Sequence, residues 1–60
     1  MNWKNAEQWA TFYYNYARNS LSLSAADARV YARNNLKFSR AGFRSGTLRM
    51  EQWITANLTA

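Results

Sequence analysis

Residues 4–18 read KNAEQWATFYYNYAR, and the way these side chains fall around a helix decides how the chain can fold. At about 100° per residue, Lys4, Glu7, Gln8, Thr11, Asn15 and Arg18 gather on one face, while Ala6, Trp9, Ala10, Phe12, Tyr13, Tyr16 and Ala17 fill the opposite side. That is the pattern of an amphipathic α-helix. Its apolar arc approaches half of the circumference, with Trp3 and Tyr14 at the margin. The spacing predicts that Trp9, Tyr13 and Tyr16 pack inward on a second helix and on Trp53 of a third. Trp3, Phe12 and Tyr14 are then the rings left over for a partner or dimer interface.

Moving outward, SLSLS at 20–24 ends this segment, and Ser24 followed by Asp27 matches a capping box for the next. The Ser hydroxyl takes an orphan backbone N–H, and Leu23 is placed to pack on Ala28 as a staple. A second helix is expected from Ala25 to a point between Asn35 and Arg40. Ala25, Ala28, Ala32 and Leu36 share one side of it, joined by Tyr31. Small side chains there allow a close helix approach. Arg29, Arg33 and Lys37 recur at four-residue intervals on a different side, with Arg40 near the same line if the helix runs that far.

Gly42 is the expected C-cap, because glycine enters the left-handed region at little cost. FSRAGFRSGT at 38–47 then reads as a basic connection, and Thr47 or Ser45 caps a third helix over roughly Leu48 to Asn57. Met50, Trp53, Ile54 and Leu58 form its apolar stripe. Partial alternation in LKFSRAGFRSGTLRM also permits a short β-hairpin around Ser45 and Gly46. The expected fold is therefore all-α: one domain over residues 1–60, three short amphipathic helices in a small bundle, completed by dimerisation.

The dimer enters because the chain is short. A 60-residue domain buries only about 60% of the surface its unfolded form exposes, and chains of this size commonly rely on a staple. This one has no Cys and no His, so neither a disulfide nor a Cys/His zinc site is available. Tight helix packing or a second copy remains. Hydrophobic residues make up 48% and aromatic residues 17% of the chain, well outside the composition of disordered proteins. Absence of Cys fits the cytoplasm. No apolar run has the length of a membrane span, and MNWKNAEQW lacks the order of a signal peptide.

Chemistry is narrowed in the same way. Without His or Cys, and with Glu7, Asp27 and Glu51 on three different segments, no acid–base pair or metal-ligand spacing is visible. Ser and Thr lie at caps and turns, and no Gly-Lys-Ser/Thr follows the glycines. The expectation is a non-enzyme with no cofactor and no metal.

Charge adds a second feature. The net charge is +5, and between Asp27 and Glu51 the chain holds Arg29, Arg33, Lys37, Arg40, Arg44 and Arg49 with no acid among them. Such a block attracts nucleic acid or an acidic protein surface. A helix-turn-helix is set aside, because the connection from Asn35 to Thr47 exceeds that motif's turn and helix 3 offers only Arg49 and Gln52 near its start. If nucleic acid is bound, helix 2 and the following loop carry it with low sequence specificity. A membrane-surface helix is also disfavoured, since the aromatic residues and the basic stripe lie on different helices.

A compact Cys-free chain that begins MNWKNAEQWATFYYNYARN and continues with a capped second helix at SLSAADARVYARNN resembles the small helical accessory proteins of the early regions of lambda-like temperate bacteriophages. The resemblance spans the whole chain in its overall layout and transfers no binding residue. It implies a regulatory protein of the host cytoplasm that binds a host or phage protein. On that reading the aromatic residues of helix 1 anchor the contact, and the basic stripe steers it. Weakly specific DNA or RNA binding through the basic helix 2 and loop is the alternative.

Overall fold

The computed structural model describes residues 3–36 and 43–59, with side chains in the last segment from Leu48 onward. Three helices follow in order: α1 (Trp3–Asn19), α2 (Ala25–Asn34) and α3 (Phe43–Asn57). No strand occurs among the described residues. The protein is all-α. Cross-connections give the helix directions. Tyr13 and Tyr16 of α1 both meet Tyr31 of α2, Arg29 and Arg33 of α2 reach Leu58 and Glu51 in the α3 segment, and Trp3 meets Arg49. Residue numbers run in opposite senses across α2 and α3, so these two helices are antiparallel.

The turn after α1 is held by backbone hydrogen bonds from Ser20 to Tyr16 at 2.8 Å and from Leu23 to Ala17 at 3.0 Å. Ser22 takes a left-handed φ of 55° to let the chain reverse. Arg18, in the last turn of α1, donates from Nη1 to the Leu23 carbonyl at 3.0 Å, where a cation also complements the helix dipole. Ser24 caps α2 as its sequence indicates, its Oγ accepting the Asp27 N–H at 3.2 Å.

The core is a seam of small residues. Ala6, Ala10 and Ala17 of α1 and Ala28 and Ala32 of α2 are fully buried, and Tyr14, Leu36, Met50, Ile54 and Leu58 are buried with them. Alanines on facing helices bring the backbones close, and Tyr14 is the one ring of α1 buried beside them. Ala28 and Ala32 of α2 with Leu36 just past its end, and Met50 and Ile54 of α3 with Leu58 just past its end, are buried as their spacing predicts, with Trp53 partly buried against the cluster.

Two boundaries differ from the sequence reading. Helix α2 stops at Asn34, because Asn35 acts as its C-cap: its N–H reaches the Tyr31 and Ala32 carbonyls, and its side-chain Nδ2 donates to the Tyr31 carbonyl at 2.8 Å. The proposed cap Gly42 lies outside the described residues. Helix α3 begins at Phe43, so Ser45 and Thr47 are internal to it and a hairpin around Ser45 and Gly46 is ruled out. Continuous i to i+4 pairing along one helix satisfies more backbone groups there than a bare loop would.

The largest correction is the rotation of α1. Tyr14, expected at the margin and free for a partner, is 4% exposed and belongs to the core. Trp9 and Tyr16, expected inside, stand 49% and 43% exposed. Alanine packing chose the side of α1 that carries Ala6, Ala10 and Ala17, and Tyr14 lies on that same side one turn from Ala10 and Ala17.

Candidate protein interface

The rotation of α1 assembles a surface from the displaced rings. Trp9 meets Phe12 edge-on with centroids 5.5 Å apart and Tyr13 at 5.7 Å. Phe12 meets Tyr13 edge-on at 5.5 Å. Tyr31 of α2 extends the group, 6.3 Å from Tyr13 and 6.2 Å from Tyr16. These separations are those of favourable aromatic pairs. Tyr13 and Tyr31 are half-buried and pack against the core, so the cluster has a rooted inner edge. Its outer edge is Trp9, Phe12 and Tyr16, with Phe12 the most open of the three at 56% exposed. A connected aromatic surface on one side of a small domain is a candidate binding face.

Of the rings assigned to a partner from sequence, Phe12 alone is on this face. Tyr14 is in the core. Trp3 is partly buried at the other side of α1, donating its indole N–H to Glu7 Oε1 at 2.7 Å and carrying the Arg49 guanidinium 3.8 Å above its ring. Both its edge and its face are engaged within the chain, in a cation–π contact that ties α1 to α3. Trp9 and Tyr16 were missed as surface residues. The signal for Trp9, Phe12 and Tyr16 was present in their four- and three-residue spacing, which sets them in one row apart from the alanines.

The basic set divides as well. Arg29 donates from Nη1 to the Leu58 carbonyl at 3.2 Å, just beyond the end of α3. A cation at that position satisfies an orphan carbonyl and opposes the negative end of the helix dipole. Arg33 forms an ion pair with Glu51 and donates to Asn34 Oδ1 at 3.1 Å. Arg49 lies over Trp3. All three therefore fasten helices to one another while keeping part of their surface open. Lys37 and Arg40 lie outside the described residues, as does the side chain of Arg44, which belongs to α3. Between α2 and α3 an open depression of about 310 Å³ is lined by Ala26, Arg29, Val30, Arg33, Glu51, Ile54 and Thr55.

Among the described residues no three His, Cys, Asp or Glu side chains come together as a metal site, and no helix is long and apolar enough to cross a membrane. The fold defines a class by its physics alone, an all-α module with an exposed row of aromatic side chains. No family model, curated protein or solved structure matches the chain.

Proposed function

We propose that this is a small non-enzymatic regulatory or accessory protein of the phage type, which works in the host bacterial cytoplasm by stoichiometric binding of a host or phage protein. The observation that carries the reading is the exposed row of Trp9, Phe12 and Tyr16 on a rooted aromatic cluster. Large aromatic side chains dominate the energetics of protein interfaces because they bury much area with few rotatable bonds. Burying one such ring supplies roughly 2 kcal/mol. The net charge of +5 steers the protein toward acidic surfaces.

A photo-crosslinking residue in place of Phe12, with another in place of Ala56 on α3 as control, tests the reading in bacterial cells. Discrete protein adducts at position 12 and none at position 56 are expected. Equal, diffuse labelling at both positions would refute a dedicated aromatic face.

Weakly specific DNA or RNA binding is a second reading, favoured by the net charge. It is the weaker one because Arg29, Arg33 and Arg49 already hold partners within the chain. Titration of labelled duplex at about 50 and 200 mM salt separates the two. Four phosphate contacts would give a loss of affinity of roughly a hundredfold between those salts. No retention at the lower salt removes the second reading.

A further inference from the structure

We infer that the protein docked on the aromatic face is a second copy of this chain, with the two α1 helices packed antiparallel across a two-fold axis. This rests on the aromatic face being the binding surface of the proposed function, and names the occupant of that face when no host or phage protein is bound. Along the exposed side of α1 the residues are Asn5, Trp9, Phe12, Tyr16 and Asn19, spaced four, three, four and three. That is the spacing by which one helix seats side chains between those of another. The inner seam of α1 is buried against α2 and α3, whereas Trp9, Phe12 and Tyr16 of this outer row stay largely exposed, meeting only Tyr13 and Tyr31 at the row's inner edge among the ring contacts of the described residues.

The row is close to a chemical palindrome. Read from either end it runs Asn, aromatic, aromatic, aromatic, Asn, with Phe12 in the middle. A two-fold contact requires a surface complementary to itself, and reversing α1 against its copy lays rings on rings and amides on amides. Antiparallel helices also align their dipoles favourably. Neutrality supports the same occupant. Two molecules of net charge +5 repel each other, so they meet best where charge is absent. On α1 the row and Tyr13 beside it are uncharged, and Gln8 and Asn15 separate the row from Lys4, Glu7 and Arg18 farther round the helix.

The poverty of the core points the same way. Among the described residues five of the ten buried ones, Ala6, Ala10, Ala17, Ala28 and Ala32, are alanine, and Met50 is the large side chain that is fully buried. Alanine contributes one methyl each where a Leu would bring roughly 2 kcal/mol more. The chain has no Cys to supply a disulfide. Roughly 100 Å² left bare on each of Trp9, Phe12 and Tyr16 gives roughly 300 Å² of aromatic surface per copy. With the flanking amides the face approaches the roughly 500 Å² per partner of a small specific interface.

Sedimentation equilibrium of the full chain from about 1 to about 200 µM, a range that small interfaces span, is the test, with Phe12→Glu as the disrupting variant. The expected result is a reversible dimer, and a monomer of unchanged helicity for Phe12→Glu. A wild-type chain that stays monomeric throughout overturns the inference, as does a Phe12→Glu chain that still dimerises. Should Phe12→Glu fail to fold, cysteine substitution in this Cys-free chain decides. Phe12→Cys should oxidise rapidly to a disulfide-linked dimer and Ala56→Cys should not; equal rates overturn the proposal. A monomer whose position 12 still crosslinks a different protein in cells sinks the second copy but leaves the binding face standing. A monomer without adducts sinks both.

Discussion

Tyr14 and Phe12 are neighbours but for one residue, yet they have opposite fates, and the difference lies in which row of α1 each one joins. Tyr14 is one turn from both Ala10 and Ala17 and is carried into the core with them at 4% exposed. Its truncation leaves a cavity, so Tyr14→Ala should cost about 3 kcal/mol. In a domain of this size that is enough to lower the thermal midpoint by more than about 10 °C or to abolish the transition, which calorimetry will read. Ser24 is the other residue with a single defined task. Its Oγ accepts the Asp27 N–H, and Ser24→Ala should cost about 1 kcal/mol, or roughly 4–8 °C in midpoint. The cap was visible in sequence because its geometry is local. The fate of Tyr14 was not, because both rows are apolar and only the approach of α2 decides between them.

At the scale of elements, the contact of α1 with α2 depends on smallness. Ala10, Ala17, Ala28 and Ala32 have no exposed surface, so an added side chain must push the helices apart. Ala28→Leu should destabilise the fold by about 1–3 kcal/mol although Leu is the more hydrophobic residue, as denaturant unfolding monitored by circular dichroism will show. Helix α3 is held differently, by side chains reaching across to it: Arg29 to the Leu58 carbonyl, Arg33 to Glu51, and Arg49 on Trp3. The Arg33 and Glu51 side chains are each 42% exposed, and exposed pairs contribute about 0–1 kcal/mol. Glu51→Gln should therefore cost less than about 1 kcal/mol at low salt, and the difference should shrink at 1 M salt, where screening acts over about 3 Å. The four-residue interval of Arg29 and Arg33 was legible as a stripe. That both guanidiniums turn to α3 was not, since their partners are a backbone carbonyl and an acid far along the chain.

For the whole molecule, an alanine core inside and a row of rings outside invert the usual distribution of a small domain. Oligomers are stabilised by mass action, so the inferred dimer makes the thermal midpoint depend on concentration. Raising the wild-type chain about a hundredfold in concentration should raise its midpoint by several degrees, while Phe12→Glu should show no dependence. The sequence by itself determined three amphipathic helices, the Ser24 cap, the inward side of α2, the apolar stripe of α3 and the block of basic residues. Each of these follows from spacing or from a hydrogen bond within one turn. Only the tertiary structure decided where α2 ends and α3 begins, which cations are tied down, and which way α1 faces. On α1 two apolar rows compete for one core, and the row that carries the alanines takes it, with Tyr14, because small side chains let the helices approach closely.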